Sequence, residues 1–424
     1  MMGATEAPSL ARAAAAGAAA PRRQHHIPEL LEIHADELAY LWGQRRAALF
    51  DTRYTLASFL ALNERIEAHL AGLLTVPSAL PALLGKRLLA TTDRDEVFAA
   101  ACALLRTGNA SLTARIVEMF ATASGPLLLG LRDALGASSL DDAAPSVQAM
   151  LALGEPARAV AAATVLAQRG LLRAEDPQLA RLLLDADDAV AAQAWRVLPL
   201  VDAPLAVQPD GPPPRPYKPA LLRKDPALRQ AVLACATWTA QPWLIRGLRL
   251  LVSEGDTVAL GWLAVLGGPE HDTVVQAAMA QLLPTVAQPE LLGRCGRPWV
   301  LPLLLKWMHG SDPKLAAAAG DAYMRLTGED VRGRRVTPKP ADDADEFERE
   351  MAPSVWLPDP AKVQLHHDEH GVTLAAGGRW NRGLDIGGAP PAEALRHVDL
   401  PARWDACARA AFARQPIAPP PPAL

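Results

Sequence analysis

Six stretches of this chain share one texture. An aspartate or a proline opens each, alanines and aliphatic residues follow, and a glycine, a proline or a polar cluster closes it. They are DEVFAAACALLRTG (95–108), PARAVAAATVLAQRG (156–170), DDAVAAQAWRVLPL (187–200), DPALRQAVLACATW (225–238), DTVVQAAMAQLLPTV (272–286) and DPKLAAAAGDAYMRLTG (312–328). Their starts lie roughly 30 to 60 residues apart, an interval that suits a repeated pair of helices. The Asp-Pro opening has a mechanism. The aspartate accepts hydrogen bonds from free N–H groups of the first turn, and proline fits the first helical position, where no N–H is needed. Alanine, the best helix former, lets neighbouring helices approach closely. This texture predicts an all-α fold, a HEAT-like α-solenoid of antiparallel helix pairs.

Composition agrees with that reading. Half of the 424 residues are hydrophobic but only 5% are aromatic, so the core must be built from small and aliphatic side chains. The formal net charge of -4 gives no global attraction to phosphate backbones. Cys102, Cys235, Cys295 and Cys407 are far apart. Neither a disulfide framework nor a zinc site is expected of them, and a reducing cytoplasm suits them best. The opening MMGATEAPSLARAAAAGAAAPRR lacks a basic leader region and a leucine-rich stretch, so 1–26 reads as an Ala-rich disordered arm. No stretch has the apolar length to span a bilayer; WVLPLLL (299–305) is short and contains Pro302.

Around the repeats (91–328), other segments read differently. Residues 27–90 suggest an N-terminal helical hairpin or cap. Leu31, His34, Leu38, Leu41 and Trp42 recur at helical spacing, and Thr55 is placed to cap a second helix striped by Leu56, Phe59, Ile66, Leu70 and Leu73. The Pro-rich APLAVQPDGPPPRPYKPA (203–220) cannot be a regular helix. It is either a linker between two halves of the array or a loop laid over its surface. Residues 329–358 read as an acidic linker, 359–414 as a small C-terminal helical region, and 415–424 as a Pro-rich tail.

Four motifs then carry a resemblance: IPELLEIHADELAYLW near the start, ERIEAHLAGL at 64–73, DPKLAAAAGDAYMRLTG at 312–328 and LPDPAKV at 357–363. Their order and spacing resemble an uncharacterised bacterial family of HEAT-repeat proteins associated with type VI secretion gene clusters. The similarity covers about residues 27–410. It implies a cytoplasmic helical-repeat protein with an accessory role in secretion, and no known reaction or catalytic residues. The chain departs from the pattern twice. His366 and His367 follow LPDPAKV where the family carries aromatics, and GGRWNRG, with Arg379 and Trp380, stands at a basic-aromatic-glycine turn.

The densest cluster of potential ligands is LHHDEHG (365–371). With Asp359 as N-cap, Pro360 first in the helix and Gly371 as its stop, His366 and His370 share a face. Zinc helices of the H-E-x-x-H type use that spacing, but there the second residue is the catalytic Glu. Here it is His367, the glutamate is Glu369, and no third ligand follows at a diagnostic spacing. Histidines at a helix C-terminus also interact well with the free carbonyls, which is the simpler reading. His366 and His370 are thus weak metal candidates. His34, with Glu37 one turn on, and His69 read as half-buried histidines of apolar stripes.

Nothing else in the sequence points to catalysis. The chain has no His-Glu dipeptide, no phosphate-binding G-x-x-x-x-G-K-[ST] and no nucleophile elbow. No cofactor is expected, and the chain reads as a non-enzyme. Basic residues cluster at Arg22–Arg23, Arg45–Arg46 and Arg332–Arg334–Arg335, at helix ends and linkers, which suits solvation better than nucleic acid. Trp195, Trp238, Trp262 and Trp307 sit in helical patterns and suit gaps between repeats. Trp356, Arg379, Trp380 and Arg382 lie among prolines and glycines, where exposed tryptophan and arginine mark protein-binding hot spots. The sequence therefore points to a non-catalytic scaffold or adaptor for a protein partner, a type VI secretion component or effector. Its rivals are a nucleic-acid-binding HEAT-like protein and, further off, a metal-dependent enzyme using the His366/His370 region.

Overall fold

The computed structural model describes residues 28–420, apart from 141–142, 284, 340–344, 346, 348–350, 352, 377, 389–391 and 417. The arm 1–26, the end of the Pro-rich tail and most of the acidic centre of 329–358 lie outside the described residues.

The chain is predominantly helical, with 21 α-helices among the described residues. Nine alternate helices form a continuous central row: α1 (Pro28–Ala48), α4 (Arg94–Leu105), α6 (Gly125–Ala137), α8 (Pro156–Gln168), α10 (Asp188–Asp202), α12 (Pro226–Trp238), α14 (Thr257–Leu266), α16 (Ala287–Cys295) and α18 (Pro313–Thr327). Each packs on the next. Flanking them are α2 (Leu56–Leu73), α3 (Leu80–Ala90), α5 (Ala110–Thr122), α7 (Ala144–Leu153), α9 (Pro177–Leu182), α11 (Tyr217–Leu221), α13 (Leu244–Ser253), α15 (Asp272–Gln281) and α17 (Leu301–Met308).

Burial separates the two sets. In α4 every residue from Val97 to Leu105 is buried, and in α8 every residue from Ala159 to Ala167. Flanking helices bury one stripe, as α13 does with Leu244, Leu248 and Val252. A helix that is apolar all round belongs between neighbours, and an amphipathic one belongs at the surface. Five of the six repeated stretches are central-row helices; 272–286 is instead the flanking α15. Most of the expected caps form. Asp187, Asp225 and Asp312 each accept a first-turn N–H, and Thr55 forms a reciprocal capping box with Ser58. Asp93 and Asp256, which the repeated texture did not name, cap in the same way, whereas Asp272 does not serve as a side-chain cap. Arg–Asp pairs also join successive units, as Arg46–Asp95 and Arg94–Asp133 do at 2.9 and 2.6 Å.

The Pro-rich stretch does not divide the array, because α10 and α12 pack directly on each other across it. It lies over the surface and is fixed there by two buried side chains. Arg215 makes a bidentate pair with the fully buried Asp202 (2.7 and 2.8 Å) and donates to the Ala174 carbonyl. Tyr217 lies between Trp195 and Trp243 and hydrogen-bonds Thr239 at 3.0 Å. Tyr217→Phe removes only that hydroxyl, so urea denaturation should show a loss of about 1 kcal/mol, while the rings stay packed.

Beyond α18 the chain departs from the expected linker. Strands β1 (Arg332–Val336) and β2 (Val355–Pro358) form an antiparallel pair, with Arg335 opposite Trp356 and Val336 opposite Val355. Helix α19 (Pro360–Ala376) follows, then the short strands β3 (Trp380–Asn381) and β4 (Leu384–Asp385), α20 (Ala394–His397) and α21 (Leu400–Phe412). Arg382 and Gly383 both have positive φ, +50° and +75°, as a tight two-residue hairpin turn with the matching twist requires. This segment is built into the array. Helix α21 packs on α12 and α14, and the Leu400 N–H bonds the Tyr54 carbonyl at 2.8 Å. The C-terminal region thus touches both the N-terminal hairpin and the last central helices.

Candidate partner-binding cleft and the C-terminal segment

A cleft of about 1660 Å³ lies between the turn after α1 and the faces of α12, α14, α16 and α18. Small side chains, Gly261, Ala318 and Ala322 among them, lie along it. Phe50 and Leu283, 70% and 83% exposed, stand at its edge. Its volume exceeds that of ordinary small-ligand pockets, about 300–1,000 Å³. Several of its cations are already engaged. Arg294 is bidentate to Asp405, Arg325 to Asp399 and Arg53 to Asp51. Arg382, also in the cleft, donates to the Thr52 and Arg53 carbonyls.

The four side chains expected to form an exposed hot spot separate. Trp356 is 46% exposed, on β2. Arg379 is only 4% exposed, contrary to the expectation of an accessible arginine. Its guanidinium donates to the carbonyls of Ala264, Gly267 and Cys295, at the C-terminal ends of α14 and α16. Those ends carry unpaired carbonyls and the negative pole of the helix dipole. Burial pushes the Arg379 pKa down from its usual value, opposed by Cys295, Asp405 and Asp272. Trp380 is half-buried and its indole donates to the Leu374 carbonyl at 2.7 Å. The backbone of this turn continues the pattern: Trp380 N–H bonds Gly296 O, Arg382 N–H bonds Arg325 O, and Gly383 N–H bonds Leu326 O. Residues 379–383 therefore cap the ends of α14, α16 and α18 in succession. Asn381, which the sequence reading passed over, is 1% exposed and holds Asp399 from two sides.

The histidine cluster lies on α19. Asp359 caps it, accepting the Ala361 N–H at 2.9 Å. The helix does not stop at Gly371 but continues to Ala376. The His367 ring packs against Gly371, where a Cβ would come within 3.1 Å. His366 and His370 share a face, with ring centroids 4.8 Å apart, and His366 Nδ1 meets the Tyr323 hydroxyl at 2.8 Å. Among the described residues, no group of three or more His, Cys, Asp and Glu is arranged to hold a metal ion. His34 and His69 face each other across α1 and α2, Nδ1 to Nδ1 at 3.1 Å. All four cysteines are free and buried. No helix among the described residues is long and apolar enough to cross a membrane.

Both histidine pairs set a pH dependence. Burial, then the neighbouring His370, depresses the pKa of His366 below its ordinary 6.5; burial, then His34, does the same to His69. In each case the folded state binds its proton less readily than the unfolded chain. The stabilisation is complete above the unfolded pKa and declines as pH falls through the folded pKa. Melting temperature should therefore drop from pH 7.5 to pH 5.5, and His366→Gln, which keeps an acceptor for Tyr323, should flatten part of that drop.

No protein-family model, curated protein or solved structure matches the chain.

Proposed function

We propose that this chain is a non-catalytic interaction scaffold or adaptor, built as a HEAT-like α-solenoid of antiparallel helix pairs and acting in the cytoplasm. The observation that carries this reading is the cleft. It is wider than a small-ligand pocket, lined in part by small residues, and edged by the exposed Phe50 and Leu283. Small residues let a partner's backbone approach, and exposed apolar edges supply contact area. The engaged state of Arg53, Arg294 and Arg325 favours a protein partner over nucleic acid, which would need free cations along the groove. The family resemblance supplies the setting, an accessory role in type VI secretion, with a secretion component or effector as the partner.

Affinity purification from the native cell, followed by mass spectrometry, tests the reading. The wild-type chain should recover one protein reproducibly, and Phe50→Asp combined with Leu283→Asp should lose it with little change in melting temperature, since both positions are exposed. Recovery of no partner, or full retention by the double variant, would count against the cleft as the binding site.

A further inference from the structure

We propose that His34 and His69 form an exchangeable zinc site that clips α2 onto α1, with Nδ1 of each ring as a ligand and waters completing the coordination. The two histidines stand on different helices, 35 residues apart in the chain, and their Nδ1 atoms are 3.1 Å apart. Their ring planes are inclined at 68°, edge toward face. Two nitrogens bound at about 2.0–2.1 Å in a tetrahedron lie about 3.3–3.4 Å from each other, so the rings need part by only about 0.2–0.3 Å to take the ion.

Without metal the contact is a hydrogen bond, in which one neutral ring carries its proton on Nδ1 and the other offers a lone pair. Moving that proton to Nε2 of its own ring leaves two lone pairs facing each other. Zinc then replaces a proton between the rings, and no net proton is released. Imidazole nitrogen is a ligand that suits zinc. Gly72 makes the arrangement possible. A Cβ there would come within 2.7 Å of His34 Cε1 and Nε2, so glycine at this point of α2 admits the ring.

The charges around the pair are few. Glu37, one turn after His34 on α1, is half-buried, makes no ion pair among the described residues and lies within electrostatic reach of His69. It supplies negative charge beside the ion. Arg65, exposed one turn before His69, opposes it. Structural zinc sites close with four protein ligands. No third His, Cys, Asp or Glu is in place here among the described residues, so the ion exchanges with solution. The His366–His370 pair differs, because both rings lie on one helix and the Tyr323 hydroxyl occupies His366 Nδ1. This assignment is independent of the cleft.

Equilibrium dialysis of the full chain against graded zinc at pH 7.5, with bound metal read by mass spectrometry, tests it. The parent for the comparison carries His366→Gln and His370→Gln, so that the other histidine pair contributes nothing. It should bind one more zinc ion than the same chain with His34→Gln added, and His69→Gln should lose that same ion. Glu37→Gln should weaken it by about 10-fold or more, as loss of a group flanking the ligands does, and Arg65→Gln should tighten it. Zinc should raise the melting temperature of the parent and leave both histidine variants unmoved. In a chelator all these chains should melt alike, which shows that the variants fold. A parent that binds no more zinc than the His34→Gln chain, an ion that survives His69→Gln, or a parent whose melting temperature ignores zinc would overturn the proposal.

Discussion

Arg379→Met should lower the unfolding free energy by about 2–6 kcal/mol, taking one to two net charge-assisted hydrogen bonds at ~1.5–3 kcal/mol each. The guanidinium is almost fully buried and donates to three carbonyls at the ends of α14 and α16. Methionine keeps the apolar stem and removes every donor, so the carbonyls lose partners that water cannot replace in a closed site. Lysine should not rescue the loss, because a single ammonium cannot reproduce a planar fork that reaches three acceptors. Urea denaturation followed by far-UV circular dichroism reads the effect as a fall in midpoint at similar slope. A loss under 1 kcal/mol would mean that the Arg379 hydrogen bonds do not hold the ends of α14 and α16 in place.

Asp399→Asn should cost about 3–5 kcal/mol, the range for removing one partner of a buried ion pair. Asp399 is fully buried. Its carboxylate takes Arg325 at 2.7 and 3.0 Å, Asn381 at 2.6 Å and the Ala402 N–H at 2.8 Å. Asparagine has the same shape but offers two donors where the site already supplies four. At least one contact becomes donor against donor, and the Arg325 charge is left uncompensated. The same residue bridges to Thr55, so the variant should also loosen the N-terminal turn. Faster proteolysis near residues 50–55 would report that loosening, and unchanged cleavage there would argue against the link.

Much of the helical framework was legible because its signals are local. An aspartate followed by proline specifies a capped first turn from adjacent residues alone, and alanine-rich runs mark helices that can be buried all round. The signal failed where the opening lacked the Asp-Pro pattern. α6 opens at Gly125-Pro126 with no side-chain cap bond, and α14 follows Asp256 without a proline; both are central helices that the repeated texture did not mark. The Pro-rich stretch could be excluded from helix, but its anchoring depends on Asp202, Ala174, Trp195 and Trp243, residues on other elements.

The site was less legible for the same reason. GGRWNRG announces a turn, and a glycine-rich turn reads as surface. The acceptors that draw Arg379 inward lie 84 to 115 residues earlier in the chain, beyond any periodic pattern. Only Gly383 held a usable clue, since a two-residue hairpin needs positive φ at both central residues and the other one here is Arg382, a residue type that gives no such signal. For LHHDEHG, the spacing correctly put His366 and His370 on one face. The partner of His366, Tyr323 on α18, was not foreseeable from that spacing. The end of α19 was misplaced because Gly371 can sit inside a helix at a cost of about 1 kcal/mol.

Residues 379–383 and α21 hold the last central helices and the N-terminal turn in one cooperative unit. Hydrogen exchange of the intact chain, read by mass spectrometry, tests it most directly. Peptides covering 379–386 and 399–411 should exchange as slowly as those from α14 and α18, and should gain deuterium together with them under mild denaturant. Early exchange of the C-terminal peptides, with α14 and α18 still protected, would contradict it.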